Sequence, residues 1–391
     1  MAGQVIPRGK GKWLVRVFAG RDGSGRRRWV SKMAHGGRRD AQAVLHNLLA
    51  AKSEHRLMLP ADVNLAGYLE RWLADYGTTL RPTTLDSYRE IVSVHLAPAL
   101  GHVRLDRLTP GMVQGYLTRK LVGEKDAAGT WVKPPLSPST VRRHLAVLQK
   151  ALASAVQWNL LPANVCSRVS KPRPFRYEAK TWDSEQVRLF LAEARRSSPY
   201  HVLYLTALLT GLRAGELAGL RWSDVDFTLG TATIRATFYR RGGRQLWGEP
   251  KSKQSRRTIA LPPVLVEELR RVHDQQEEYR RLRGSDYNDL GEHGPLVFAQ
   301  PNSKPLHMHN VAQRDFRRII KKASLPRVRL HDLRHCHATL LLQQGENLRV
   351  VSERLGHHDP SFTLSVYTHV LAGQQEAAAA RLEERLLGEK V

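Results

Sequence analysis

Tyr367 is the residue with the clearest chemical potential, in a stretch from Leu355 to Val370 that reads LGHHDPSFTLSVYTHV. A phenol oxygen is a usable nucleophile and an acceptable leaving group, so a tyrosine can hold a phosphoryl group covalently and release it again. Packing or a surface hydrogen bond is the alternative role for a single tyrosine. Phosphoryl transfer also requires cations for the phosphate oxygens, an acid for the leaving oxygen and a base. The rest of the chain has to supply these groups.

Two arginines stand where such cations are expected. Arg213 lies among leucines at the break between two apolar helices, and a charge in that setting is costly without a partner. Its partner is an anion at a site, or Glu216 one turn later, or both. His331 and Arg334 form an HxxR pair that places both side chains on one helical face. Two guanidinium groups would neutralise the charge that builds on phosphorus.

The acid and a further donor are expected in loops. Lys251 lies in a segment predicted to form a hairpin tip, where it is placed to enter a groove and protonate a leaving oxygen. Lys253 is the rival candidate, and the sequence leaves the choice between them open. His357 follows Gly356 at a predicted helix C-terminus, where its ring can donate to a phosphate oxygen.

A metal site is the alternative interpretation of the histidine cluster. His331, His335 and His337 surround Cys336, and the i, i+4 spacing of the first two suits Zn²⁺. The cluster lacks the glutamate of an HExxH motif, and the chain has no CxxC pair. We therefore expect neither a metal nor any other cofactor.

The composition indicates a polyanionic partner. The chain has 391 residues, and 62 Lys and Arg against 36 Asp and Glu give a net charge of +26 that is spread through every region. A surface this basic is typical of nucleic-acid binding. The two distant cysteines, Cys166 and Cys336, give no disulfide framework. With no predicted transmembrane run or signal peptide, the expected location is the interior of the cell.

The length and pattern predict a mainly α protein with small antiparallel β-sheets, in three domains. Residues 1–56 are predicted to form a three-stranded sheet plus a helix, with strands at Trp13–Phe18 and Arg28–Met33. Strands of this kind can enter a DNA groove. The candidate DNA-binding residues of this domain are Arg26, Arg27 and Arg28.

Residues 60–168 are predicted to form a compact four-helix domain, followed by a basic linker at Ser167–Arg176. In this domain a helix from Pro82 ends at Pro98 and Gly101, and Gly123–Pro135 is a polar loop. Three basic residues lie off the apolar stripe of its last helix and are candidates for phosphate contacts: Arg142, Arg143 and Lys150.

Residues 177–391 are predicted to form a larger, mixed but mainly α domain. One continuous strand is expected at Thr231–Phe238, with a returning strand at Arg257–Leu261. Short helices are expected near Phe362–Tyr367 and at Gln374–Leu387, the last rich in Ala and Leu and suited to dock on another subunit.

The ordered set of Arg213, Lys251, HxxR, Leu355-Gly356-His357 and Tyr367 resembles the tyrosine recombinase family, the phage-type integrases. The surrounding segments TGLRAGELAGLRWSDVD, PKSKQSRRTIAL and LHDLRHCHATLLLQQG are similar to that family as well. The four-helix region, with RPTTLDSY and LSPSTVRRHLAVLQKALASAVQWNLL, resembles its core-binding domain, and the N-terminal sheet resembles an arm-binding domain. The resemblance thus covers nearly the whole chain.

The resemblance implies a division of labour in the site. Tyr367 attacks the scissile phosphate to form a 3′-phosphotyrosine, while two arginines hold the non-bridging oxygens and Lys251 protonates the leaving 5′-oxygen. His331 acts as base and orienter, and His357 hydrogen-bonds the phosphate. Rejoining proceeds through a Holliday junction without metal or ATP, in a homotetramer on double-stranded DNA attachment sites. Accessory DNA-bending or directionality factors are further partners, and the bacterial cytoplasm is the expected location.

Two rival functions share parts of this pattern. A type IB topoisomerase uses a similar set of residues to relax DNA as a monomer. A DNA-binding regulator would keep the fold without the chemistry. The separate helical domain and the detachable C-terminal helix favour recombination over relaxation, and the intact set of site residues argues against a regulator.

Overall fold

The chain is mainly α with small antiparallel sheets, as predicted. The computed structural model describes residues 3–21, 27–53, 63–173, 180–241, 243–248, 256–284, 293–356, 364, 367 and 374–388. It forms two compact units, Met1–Arg176 and Tyr177–Val391, and the division of the first unit into two domains stays a prediction. Within the described part of the chain no helix is long and apolar enough to cross a membrane.

The first unit begins with a three-stranded antiparallel sheet of β1 (Gly3–Pro7), β2 (Lys12–Arg21) and β3 (Arg27–His35), in that order. The helix α1 (Arg38–Ser53) packs on the sheet. The alternation of apolar residues in β2 buries Val15 and Val17 on one face, as a period of two requires. Both predicted strands are therefore present but longer than predicted, and most of the expected turn lies outside the described residues.

A helical bundle with its own core makes up the rest of this unit. Its helices are α2 (Leu65–Asp75), α3 (Pro82–Glu90), α4 (Ala97–Leu100), α5 (Pro110–Val122) and α6 (Pro138–Gln157). Asn64, Thr109 and Ser137 cap the first turns of α2, α5 and α6 by accepting backbone N–H groups. Two aromatic residues tie α2 to α6, since Tyr68 donates to the Ala151 carbonyl at 2.6 Å and Trp72 to Ser154 at 3.0 Å.

Two predictions in this bundle are wrong. The helix from Pro82 ends at Gly101 as predicted, but it does not end at Pro98, because a π turn at Ile91–Leu96 precedes the proline and changes the pattern of backbone hydrogen bonds. The predicted loop at Gly123–Pro135 contains a small hairpin of β4 (Glu124–Lys125) and β5 (Trp131–Lys133). Its short strands are exposed and lack the buried alternation that would have marked them in the sequence.

The second unit encloses a larger core beneath nine described helices. They are α7 (Ser184–Ser197), α8 (His201–Thr210), α9 (Ala214–Ala218), α10 (Pro263–Arg283), α11 (Met308–Asn310), α12 (Arg317–Lys322), α13 (Asp332–Gln343), α14 (Leu348–Leu355) and α15 (Gln374–Leu387). A π turn at Val311–Phe316 joins α11 to α12. The aromatic centre of the core consists of Trp182, Phe190, Tyr204 and Phe316. A capping box of Asp183 and Gln186 begins α7.

Two small sheets replace the single predicted hairpin of this unit. One consists of β6 (Val225–Asp226), β7 (Thr231–Ile234) and β10 (Arg257–Ala260), and the other pairs β8 (Thr237–Arg241) with β9 (Arg244–Gly248). The predicted strand Thr231–Phe238 is therefore wrong as one element, and β9 was not predicted. Apolar alternation continues through both halves, with Ile234 and Phe238 buried, and it does not indicate where a strand changes partner.

The end of α8 approaches α13 and α14 closely at Gly211. This residue has φ 67° and ψ 20°, the left-handed conformation that glycine adopts without strain. A Cβ atom there would lie 2.6 Å from the His337 ring and 2.8 Å from a Leu355 methyl group. The glycine therefore sets the spacing of three helices.

We predict that Gly211→Ala lowers the unfolding free energy of the full-length chain by about 3 kcal/mol, because left-handed strain and overpacking add. Gly243→Ala is the matched control, with a positive φ but no atom within 4 Å of the added Cβ, and should cost about 1 kcal/mol. Urea denaturation measures both values. Equal losses of unfolding free energy in the two variants would show that His337 and Leu355 move aside without an energetic cost.

Candidate active site

Arg334 is the most deeply buried cation of the site, with 4% of its surface exposed in the first turn of α13. Its two Nη atoms donate to the carbonyl oxygens of Gly211 at 2.7 Å and Leu355 at 2.6 Å. Burial, and then the neighbouring Arg213, lower the pKa of Arg334 to about 9. The protein therefore compensates only part of the positive charge of Arg334, and a bound anion would compensate the remaining part.

Arg213 is fixed by a carboxylate that it shares with a second arginine. Its Nη1 atom donates to Glu216 Oε1 at 2.7 Å, and its backbone N–H donates to Oε2 at 3.0 Å. Arg257 donates to the same two oxygens at 3.3 and 3.0 Å. Burial raises the pKa of Glu216, but Arg257 and Arg213 outweigh it and hold that pKa below its usual value. The expected pairing of Arg213 with Glu216 is therefore present, with about a third of the arginine side chain open to solvent.

The turn after α14 is attached to the same arginines. Gly356 adopts φ 64° and ψ 47°, and its carbonyl oxygen accepts from Arg213 Nη2 at 3.3 Å. Arg257 Nε donates to the Arg354 carbonyl at 2.6 Å. A Cβ on Gly356 would lie 2.8 Å from Arg257 Nη1, so a glycine is required for Arg257 to approach the turn this closely. The chain direction just before His357 is thereby fixed against Arg213.

Tyr367 lies in a small apolar cluster with Ala338, Leu342, Val351 and Leu355, and only 2% of it is exposed. Its hydroxyl oxygen is 2.7 Å from His335 Nδ1. Burial raises the pKa of the Tyr367 phenol, and the Arg334 guanidinium is close enough to oppose that increase. The phenol is thus protonated, hydrogen-bonded and within electrostatic reach of a site cation.

The histidines near the start of α13 have different surroundings. His331 is partly open to solvent, but the protein packed around it also desolvates its ring. This desolvation, followed by the effects of His335 and Arg334, lowers the pKa of His331 to about 4. Its ring meets that of His335 edge to face, with centroids 5.6 Å apart. His337 is buried with Nδ1 2.8 Å from the Leu208 carbonyl oxygen. It therefore serves packing, and the described residues contain no cluster of three metal-ligating side chains.

The structure brings together Arg213, Arg334 and Tyr367, with His331 beside them. Lys251, Lys253 and His357 lie outside the described residues. No site role was predicted for Arg257, and His335 was predicted only as a possible metal ligand. An HxxRH pattern places His335 next to Arg334, but the sequence does not tell which face of α13 meets the tyrosine.

The candidate DNA-binding residues are dispersed. Arg26 lies outside the described residues, and Arg27 and Arg28 belong to β3, where only their backbone is described. The three on α6 are exposed. Arg142 donates to the Pro172 carbonyl at 3.1 Å, Arg143 to Ser87 at 3.1 Å, and Lys150 Nζ lies 5.3 Å from the Tyr76 ring centre. These contacts leave the roles of all six residues as predictions.

Two family models match the chain. Residues 180–374 match the phage integrase family, and residues 64–121 match the N-terminal SAM-like domain of phage integrases. The two matches fall in different structural units, the first in the unit that contains Tyr367.

Curated relatives and solved structures agree with this result. The ICEBs1 integrase of Bacillus subtilis is 26% identical over 89% of this chain and 90% of its own length. A XerC-like tyrosine recombinase of Caldanaerobacter subterraneus is 32% identical over 53% of this chain and 54% of its own. The Tn1549 transposon integrase in complex with a circular intermediate DNA superposes with a TM-score of 0.67 at 20% identity, over 82% of this chain and 100% of that chain. A lambda integrase tetramer bound to a Holliday junction gives a TM-score of 0.53 at 16% identity, over 91% and 96%.

We predict strong coupling between Glu216 and Arg257, because both are buried and removal of one takes away a direct ionic partner of the other in a place with little water. A double-mutant cycle of Glu216→Gln and Arg257→Met, measured by urea denaturation, should give a coupling energy above about 1 kcal/mol. The exposed pair Arg349–Glu353 is the matched control and should give at most about 0.5 kcal/mol. Similar values for both pairs would mean that the buried carboxylate does not fix the arginines.

Proposed function

The chain belongs to the phage integrase family of tyrosine recombinases, and we propose that Tyr367 is the residue through which it cuts DNA. It is a site-specific DNA recombinase that breaks and rejoins strands to integrate or excise a mobile element. One observation carries the assignment of Tyr367. Separate segments of the chain supply the buried phenol, Arg334 and the Arg213–Glu216 pair. Both Tyr367 and Arg213 are close enough to Arg334 to act on its pKa.

The two arginines hold the scissile phosphate. Their guanidinium groups repel each other in the free protein, which contributes to the lowered pKa of Arg334. The non-bridging oxygens of a phosphodiester relieve this repulsion, and they do so most as negative charge builds during phosphoryl transfer. Burial strengthens this effect, since a low-dielectric site screens charges less than water does.

Lys251 and the histidines complete the site. Lys251 protonates the leaving 5′-oxygen, a role supported by its place six residues before Arg257, which contacts Glu216. His357 hydrogen-bonds the phosphate, a role supported by the Gly356 carbonyl that accepts from Arg213 immediately before it. His331 orients the groups around Arg334 and supports removal of the tyrosine proton.

The reaction conserves the energy of the broken bond. Tyr367 Oη bonds to phosphorus as the P–O5′ bond breaks, which leaves a 3′-phosphotyrosine and a free 5′-hydroxyl. The 5′-hydroxyl of a partner strand then attacks the phosphotyrosine and releases the phenol. One round of exchange gives a Holliday junction and a second resolves it, and neither needs ATP or a metal.

The enzyme works on DNA as a homotetramer in the bacterial cytoplasm. The solved lambda integrase tetramer on a Holliday junction, which shares this fold, supports that arrangement. In α15 three leucines are exposed and suited to pack on a neighbouring subunit: Leu382, Leu386 and Leu387. Backbone phosphates are contacted by the six candidate basic residues, Arg26, Arg27, Arg28, Arg142, Arg143 and Lys150. Accessory bending or directionality factors join the complex.

We predict that Tyr367→Phe abolishes covalent capture of DNA and leaves DNA binding unchanged, because the substitution removes only the attacking oxygen. The substrate is a duplex of the attachment site, which is found by sequencing the DNA that flanks the gene. Denaturing gels measure capture, and a gel-shift titration measures binding. Tyr239→Phe, on β8, is the matched control and should capture DNA normally. Capture by the Tyr367 variant would mean that another residue is the nucleophile.

We predict that Leu386→Asp prevents recombination between two linear attachment-site duplexes while each duplex is still cut, because the charge disrupts contacts between subunits. Leu229→Asp is the matched control, since Leu229 is exposed to a similar extent, 74% against 70%, in the same unit. Gel analysis of recombinant and covalent products distinguishes the steps. Relaxation of supercoiled DNA without any recombinant product from the unaltered enzyme would instead favour a topoisomerase.

A further inference from the structure

The hydrogen bond between Tyr367 and His335 identifies a group that the assigned roles leave unused. The phenol oxygen lies 2.7 Å from His335 Nδ1, and the two ring centroids are 5.7 Å apart. His335 is half-buried in α13, directly after Arg334. Among the described residues, His335 is the hydrogen-bond partner of the Tyr367 hydroxyl.

We propose that His335 is a catalytic residue that takes the proton of Tyr367 as the phenol attacks phosphorus and returns it when the phenol leaves. The proposal rests on the proposed function, in which Tyr367 is the nucleophile. His331 then acts one step removed, since its ring packs edge to face against His335.

The resting protonation states permit this transfer. Burial raises the pKa of the phenol, so Tyr367 keeps its proton and donates it to Nδ1. Desolvation lowers the pKa of His335. Three charged groups face its ring: Asp332 opposes this decrease, and Arg334 and Arg329 add to it. His331 and Tyr367 complete its surroundings. The imidazole is therefore neutral at pH 7, and in the tautomer that carries its proton on Nε2 the lone pair on Nδ1 faces the phenol.

The base lies near the expected phosphate. The Arg334 guanidinium is close enough to His335 and to Tyr367 to act on the pKa of each, so a phosphate held by Arg334 is near both the proton donor and the base. The phosphate has to reach the phenol while the hydrogen bond is intact, because the oxygen becomes nucleophilic as its proton leaves.

All atoms are accounted for in both directions. In cleavage the Oη–P bond forms, the P–O5′ bond breaks, the phenol proton moves to Nδ1 and the general acid protonates the 5′-oxygen. In rejoining the incoming 5′-hydroxyl gives its proton to that acid residue, the Oη–P bond breaks and Nδ1 returns its proton to Oη. No oxidant, metal or nucleotide takes part.

The first test measures the rate of covalent complex formation on an attachment-site duplex with a 5′-bridging phosphorothiolate. The sulfur leaves without an acid, so the rate reports the attack by Tyr367. His335→Asn keeps a hydrogen-bond acceptor near the position of Nδ1 but cannot take the proton, and we expect a loss of roughly 10²-fold or more. His335→Gln is the second variant, and His309→Asn, an exposed histidine in α11, is the control and should react normally.

The second test is chemical rescue of His335→Ala by added imidazoles of different basicity. A proton acceptor predicts rescue that increases with the pKa of the imidazole. A residue that only packs against Tyr367 predicts no rescue, or rescue that depends on the size of the imidazole alone. Thermal melting and DNA binding identify any variant that is misfolded.

Three results would overturn the proposal: an unchanged rate for His335→Asn, a faster rate for any His335 variant, or rescue independent of basicity. A faster rate would mean that His335 restrains the tyrosine instead of activating it. Tyr367→Phe separates these results from a failure of the proposed function. If that variant still captures DNA, the nucleophile is wrong. If it is inactive while His335→Asn is normal, only the role of His335 is wrong.

Discussion

The repulsion between two neighbouring guanidinium groups, the buried one of Arg334 and the half-buried one of Arg213, is the constraint on which the rest of the site depends. Glu216 offsets the charge of Arg213 and is itself shared with Arg257, whereas Arg334 has carbonyl oxygens as its hydrogen-bond partners. The fold therefore keeps an excess of positive charge in a place with little water, and burial with that excess explains the lowered pKa of Arg334. Under the proposed function, a phosphodiester compensates this excess of positive charge, and it does so most as negative charge builds on phosphorus during the reaction.

Helix ends supply the partners that make this arrangement tolerable. The helices α8 and α14 both end at glycines in the left-handed conformation, Gly211 and Gly356. Carbonyl oxygens at a helix C-terminus carry partial negative charge and have no intrahelical donor. Arg334 and Arg213 fill these acceptors, so the same contacts satisfy the helix ends and aim the cations.

Much of this organisation could be predicted because its causes are local. Caps such as Asp183 mark helix starts, and the spacing of Arg213, HxxR and Tyr367 indicates the site. The failures involve information that is not local. A π turn lets a helix continue past Pro98, the strand that contains Ile234 and Phe238 changes partner midway, and the face of α13 that meets the tyrosine depends on packing. His335 could therefore be seen in the sequence but not assigned.

The burial of Tyr367 has a consequence for the host chromosome. A protein with a net charge of +26 binds DNA of any sequence through the phosphate backbone and meets a great many phosphodiesters in passing. Under the proposed function, the cover that Leu342, Val351 and Leu355 place over the phenol keeps most of those encounters chemically silent. The apolar cluster around Tyr367 would then also protect the genome from random breakage.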